Sequence, residues 1–280
     1  MFDSNEVQKD IEFNMKTQHR QLVPAKCFGF WTDICGFGSL LQKNDWDLGK
    51  LNDNHVMELQ RVFYDIMGAI HQTEERTLIL NDGIAKVLKF SEFICINPYV
   101  IIFYMRDLLI SHYVFWKHAN NFGVSVRSVL AAGEYIPYAT NNQTGEVILQ
   151  YNPENISEYG KQILNTTYVY NPTEFQMNTA FAKAFTIEGM GRKAGIQPDF
   201  FYIESSVVEL INLIPNISFI KENDKLIISY KEIPRMDLYI SNELNINVKG
   251  LNVTVYEISK FHIFEALDGD DIITEFGVLN

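Results

Sequence analysis

The chain has 280 residues, 47% hydrophobic and 21% charged, ordinary for a soluble globular protein with room for one large core or two small ones. Its 23 basic and 35 acidic residues leave a formal net charge of −12 with no basic tail or stripe, which argues against nucleic acid as a partner. The same charge repels nucleotides at long range, so any nucleotide site has to be locally cationic, through metal ions and a few Lys or Arg residues.

Cys27, Cys35 and Cys95 fit neither a disulfide framework nor a zinc spacing, so a reducing, cytoplasmic compartment is expected. The opening MFDSNEVQKD is too charged for the apolar core of a secretory signal. The longest apolar stretch, Tyr99 to Met105, stops at Arg106 and Asp107, well short of the about 20 residues a bilayer needs. No membrane insertion is expected.

In chain order, residues 1–24 read as a polar lead-in. AKCFGFWTDI, residues 25–34, is aromatic and β-leaning and reads as a strand, followed by a turn with Gly36 and Gly38. A helix is expected after Asp53 as N-cap, with Val56, Leu59, Phe63, Ile66 and Ile70 at helical spacing. Thr77–Leu80 and Ile84–Phe90 flank Asn81-Asp82-Gly83, a strong hairpin signal. Asn97 as cap and Pro98 at the first position open a long helix to about Asn120, apolar nearly all round.

Val124 to Ala132 reads as a strand, and the polar stretch from Gly133 to Pro172 holds another at Val147–Leu149. Thr173 and Gln176 suggest a capping box for a helix carrying Phe181 and Phe185. Strands at Phe200–Ile203, Leu226–Tyr230 and Val248–Ile258 follow, with a short helix near Val207–Leu213. The order predicts an α+β fold: a ferredoxin-like βααββαβ layout, with an antiparallel-leaning sheet and helices on one face. It forms one domain over 25–258, and residues 259–280 read as a C-terminal tail.

Two carboxylates stand out by position. Asp33 closes the first strand and Asp82 sits at the hairpin tip, so a ferredoxin-like sheet can bring them to one end, where paired aspartates can hold two divalent ions. The small residues after Asp33 leave backbone N–H groups free for phosphate oxygens. Local hydrogen bonding at a strand end and a turn accounts for the same two residues equally well.

The run Phe30-Trp31-Thr32-Asp33-Ile34-Cys35-Gly36-Phe37-Gly38 resembles the first metal motif of the class III nucleotidyl cyclases, F-x-D-I-x-G-F. Leu80-Asn81-Asp82-Gly83 is similar to their second metal motif at a hairpin tip. Arg127 and Gly133 keep the spacing of the family's R-x-G-x-x-x-G strand, with Val129 at its middle glycine. Ile246-Asn247-Val248-Lys249-Gly250, followed by Thr254-Val255-Tyr256, resembles the closing V-K-G strand that places a triphosphate lysine. The four matches occur in family order over about residues 25–258.

Two departures accompany the likeness. Asn178 to Phe185 lacks the Asn and Arg that the family's fourth helix carries, and Leu78 stands where the adenine-selecting lysine lies. Ala180 to Lys193, with A-F-x-x-A-F-x-x-E and a basic pair after it, is more similar to the pyrimidine cyclases of bacterial antiphage (Pycsar) systems.

The resemblance implies an enzyme that turns UTP or CTP, with the uridylate reaction favoured, into the 3′,5′-cyclic monophosphate and pyrophosphate. The product is a second messenger for a separate effector in antiphage defence. Asp33 and Asp82 would be the catalytic pair bridging two Mg²⁺ or Mn²⁺ ions, with the Ile34 carbonyl as a further metal ligand. Gly36, Phe37, Lys249, Arg192 and Lys183 would contact substrate, and a homodimer would carry two sites. A purine cyclase and a catalytically silent nucleotide-binding module stay open as alternatives.

Other patterns offer less. The six histidines form no H-E-x-x-H, and there is no P-loop. Gly189 to Gly195 follows a helix rather than a strand, and reads as a helix exit. Asp268, Asp270 and Asp271 suit a solvated acidic loop better than a Ca²⁺ site.

Overall fold

The computed structural model describes residues 23–68, 72–136, 158, 172–267 and 269–277. Residues 26–134 and 179–280 form one compact unit; residues 1–25 and 135–178 belong to a second. Within the second unit, the described residues include a 3₁₀ turn at Thr173–Phe175 and an antiparallel bridge between Tyr135 and Asn178. The expected lead-in up to residue 22 and the strand at Val147–Leu149 lie outside the described residues.

The larger unit opens with β1 (Ala25–Cys35), where buried aromatics alternate in direction. Three short helices follow: α1 (Phe37–Lys43), α2 (Leu48–Asp53) and α3 (Val56–Phe63), the last running into a π turn at Tyr64–Gly68. Asp53 therefore ends α2 instead of capping the amphipathic helix. His55, at φ 59°, breaks the chain between them and stands at the α3 N-terminus. Val56, Leu59 and Phe63 face inward as their spacing predicts; Ile70 lies outside the described residues.

The hairpin forms as expected from β2 (Glu75–Leu80) and β3 (Gly83–Lys89). Asn81 takes the left-handed conformation at its tip, φ 44°, which Asn tolerates better than most residues. Gln60 Nε2 and Tyr64 Oη hold that tip by donating to Asn81 O at 2.9 and 2.7 Å. A short α4 (Glu92–Ile96) precedes the long α5 (Tyr99–Asn120), whose expected bounds match closely. Among the described residues no helix is long and apolar enough to cross a membrane.

β4 (Ser125–Tyr135), α6 (Thr179–Met190), β5 (Phe201–Glu204) and α7 (Ser206–Ile211) complete the part legible in the sequence. Helix α6 starts six residues after Thr173, so the Thr173–Gln176 pair does not stand at its N-terminus, and a 3₁₀ turn begins at Thr173 instead. The remainder is all strand: β6 (Ile217–Glu222), β7 (Lys225–Tyr230), β8 (Ile233–Val248), β9 (Leu251–Leu267) and β10 (Asp270–Glu275).

These strands build one ten-stranded sheet in the order β2-β3-β1-β4-β5-β9-β8-β7-β6, with β10 also paired to β9. The sheet is thus larger than the ferredoxin-like layout, because β6, β8 and β10 extend it. Residue 258 falls inside β9, and Phe276 is buried beside His112 and Phe261, so the sheet continues past residue 258 through β9 and β10 in place of a tail.

Helices occupy both faces, not one. Phe28, Phe30 and Ile34 of β1 share a core with residues of α3, α5 and α7; Phe28 lies 6.4 Å from Tyr104, ring to ring. The intervening β1 residues face α6: Trp31 meets Phe181 and Phe185 edge-on, at 6.0 and 5.3 Å. Helix α6 approaches closely because Gly29 and Gly133 lack side chains. A Cβ on Gly29 would lie 2.9 Å from Ala180 Cβ, and one on Gly133 would lie 2.7 Å from Ala180 N.

Candidate active site

The β1–β3 pairing sets the site. Its register places Asp33 opposite Gly83, and Ile34 N donates to Asp82 O at 2.9 Å, so the two aspartates are neighbours at one end of the sheet. Gly83 is required there because the Trp31 indole occupies the space a Cβ would fill. Strand alternation turns Asp33 toward the same face as Trp31, the α6 face.

Two further charges meet it there. Glu188, in the last turns of α6, accepts from Arg127 of β4, with Nε at 2.8 Å and Nη2 on the same oxygen. Arg127 also donates to Ile196 O at 3.2 Å. Asp33, Cys35 and Glu188 each offer a donor atom within 4.8 Å of the others. Burial first, then the Glu188 and Asp82 charges, push the Asp33 carboxyl up to about 7, with Arg127 opposing them. Burial likewise pushes the Cys35 thiol up to about 12. Asp33 and Glu188 about one guanidinium, with Asp82 adding its charge to that on Asp33, suit a divalent cation, whose charge would offset the repulsion of the carboxylates.

A cleft of about 650 Å³ opens beside the cluster, lined by Asp33, Cys35, Gly36, Arg127, Arg192 and Asp199 among others. That volume falls in the range of small-molecule sites. Gly36 stands at φ 96° ahead of α1, a conformation glycine adopts without strain.

The remaining expected contacts are divided. Arg192 reaches the cleft. Phe37 is buried in the core with 4% of its surface exposed, because α1 turns its ring inward, so it is not a cleft contact. Lys183 is committed elsewhere, donating to Ala132 O at 2.9 Å, Ser206 Oγ at 3.1 Å and the buried Glu204 Oε2 at 3.2 Å. The Ile34 side chain is buried at the hairpin.

Lys249 occupies the exposed β8–β9 turn at φ 48°. Strand registers place it away from the cleft. Ser128 pairs with Phe201 at the start of β5, and the cleft residues Ser125 and Arg127 precede it. β9 meets the far end of β5 at Val255↔Glu204, and Lys249 lies six residues beyond. A single chain therefore does not bring Lys249 to Asp33.

Glu188, Cys35 and Asp199 carry no mark of a site in the sequence, where Arg127 stands out only by motif spacing. Glu188 is the acid that closes the A-F-x-x-A-F-x-x-E run, but a lone Glu in a helix carries no sign of what it will face. Behind Asp33, on the opposite face, Ser128 Oγ donates to Thr32 Oγ1 at 2.8 Å and lies 2.7 Å from His112 Nδ1. Burial pushes His112 down to about 3, so it is neutral.

No family model matches the chain, and no curated protein matches it in sequence. Among solved structures, the crystal structure of the guanylyl cyclase Cya2 superposes with a TM-score of 0.45 and 9% identity, covering 86% of this chain and 94% of that one. Overlap of that degree does not by itself define a shared fold or activity.

Proposed function

We propose that the chain is a metal-dependent nucleotidyl cyclase acting on a pyrimidine nucleoside triphosphate, UTP or CTP, and releasing the 3′,5′-cyclic monophosphate and pyrophosphate. The observation that carries this reading is the juxtaposition of Asp33 and Asp82 across the β1–β3 pairing, the two residues that match the metal motifs of the class III cyclases. Asp33, Asp82 and the Ile34 carbonyl would hold Mg²⁺ or Mn²⁺. When bound, the ions supply acidification of the ribose 3′-hydroxyl and neutralisation of the departing pyrophosphate.

The protein's own part is positioning and charge. Asp33 fixes the anionic end of the cleft, with Asp82 its neighbour across the β1–β3 pairing, and Arg192 offers a guanidinium to phosphate oxygens along it. Lys249 would serve a site only when a second copy of the chain supplies it, which favours the homodimer. A messenger role in antiphage defence goes with the Pycsar likeness.

Incubation of the protein with each of the four NTPs and Mn²⁺, followed by mass spectrometry, should reveal a cyclic pyrimidine nucleotide. Asp33→Ala and Asp82→Ala should each lower its yield by at least about a hundredfold while the fold persists. Near-normal turnover by either variant would end the two-metal reading; a purine product would move it to the purine cyclases.

A further inference from the structure

Cys35 adds a sulfur donor to the acidic end of the cleft. It lies two residues after Asp33 on β1, so strand alternation turns both side chains to the α6 face. Glu188 reaches them from α6. Among the described residues these three form the one set of carboxylate, thiol or imidazole donors that converges, each within 4.8 Å of the other two.

All three have lone pairs to spare. The Asp33 carboxylate and the Cys35 thiol have no hydrogen-bond partner among the described residues. Glu188, only 5% exposed, takes both Arg127 donors on Oε1 and leaves Oε2 without a donor among the described residues. A carboxylate oxygen buried and unpaired costs free energy that a cation recovers. Asp33 and Cys35 also line the cleft, so an ion held here would keep a coordination position open to it.

Charge and donor type decide the ion. With Cys35 as thiolate, three negative charges face the single positive charge of Arg127, an excess of two that a divalent ion cancels. The thiol proton leaves to solvent as the bond from Sγ to the metal forms. Mg²⁺ demands an octahedron of oxygens, whereas a thiolate beside carboxylates suits Zn²⁺, Co²⁺ and similar ions. Bonds of about 2.0–2.3 Å put tetrahedral donors about 3.5 Å apart, so closure takes side-chain movements of about an ångström.

We propose that Asp33, Cys35 and Glu188 form a mixed sulfur–oxygen site for a thiophilic divalent transition ion, its fourth position open to the cleft. The site stands apart from the cyclase reading, because ion binding here needs no nucleotide. Asp33 keeps its second oxygen for an ion shared with Asp82.

Co²⁺ titration of the full chain is the test. One equivalent should produce a thiolate-to-cobalt charge-transfer band in the near ultraviolet and the intense visible bands of tetrahedral Co²⁺. Zn²⁺ should displace the Co²⁺ at stoichiometric amounts, and Mg²⁺ in about a hundredfold excess should not. Cys35→Ser should abolish the charge-transfer band, and Cys95→Ser should keep it. Glu188→Gln, which still accepts from Arg127, should weaken Co²⁺ binding at least about tenfold.

No band from the wild type, a band that survives Cys35→Ser, or displacement of Co²⁺ by Mg²⁺ overturns the proposal. The wild-type arms decide it even if a variant fails to fold. Cyclic nucleotide made by a protein without the band removes this inference alone. The band in a protein that makes no cyclic product supports the inference and removes the cyclase reading alone.

Discussion

At the β1–β3 end of the sheet, Asp33 and Glu188 crowd the Arg127 guanidinium and Asp82 adds to their repulsion, whereas the β6–β7–β8 end carries isolated ion pairs. There Lys221 pairs with Glu243, and Lys225 with Asp237 at 3.1 Å, all of them at least partly exposed. Exposed pairs of this kind contribute about 0–1 kcal/mol and are replaceable. The crowded end is the reverse. Its charges are half-buried, unequal in number and held together by packing behind them, so part of the repulsion remains in the folded state. Unresolved charge of that sort is what a ligand of opposite sign can resolve.

The contrast can be broken most forcibly at Arg127. Arg127→Met leaves Glu188 buried without its partner, and should destabilise the protein by about 3–5 kcal/mol in urea titration. Adding Glu188→Gln should restore much of that loss. A cost below about 1 kcal/mol for the single variant would place this pair with the surface pairs.

Gly29→Ala comes next. The new methyl would press on Ala180, so a destabilisation of about 1–3 kcal/mol is expected by the same titration.

Asp33→Asn tests the cost of holding that charge buried among its neighbours, through its sign. Because folding raises the Asp33 carboxyl from 3.8 to about 7, the folded state is favoured below pH 3.8 and loses that advantage as pH climbs through about 7. The amide is neutral throughout. Without divalent ions, Asp33→Asn should therefore melt a few degrees above wild type at pH 8 and level with it near pH 4, with Mn²⁺ narrowing the gap at pH 8.

Lys221→Ala should have the smallest effect, a change of at most about 1 kcal/mol that fades with added salt.

Much of this architecture was legible where local chemistry dictates it. Asn81-Asp82-Gly83 is a turn by virtue of its own residues, and the apolar length of α5 leaves it little choice but burial. Asp33 and Asp82 could be brought together on paper because strand order alone makes their elements neighbours. What escaped depends on pairing at a distance. β8 carries Pro234, Asn242, Asn245 and Asn247, a turn-like composition, and becomes a strand because β9 pairs with it from Met236 to Val248 and β7 pairs with its first half. Helix α6 is apolar on most sides, so its sequence names no face, and the glycines that admit it sit on β1 and β4. Glu188 inherits its place from that docking, as Asp199 does from Trp116, 83 residues away in sequence.

The paired glycines under α6 make that helix a lever. Its fulcrum is the notch where Gly29 and Gly133 receive Ala180, and its working tip is the carboxylate eight residues on, about 12 Å along the axis. A wedge of a single methyl at the notch would tilt the rod and swing Glu188 away from Asp33. The packing at that notch, away from the carboxylates themselves, thereby sets where Glu188 stands.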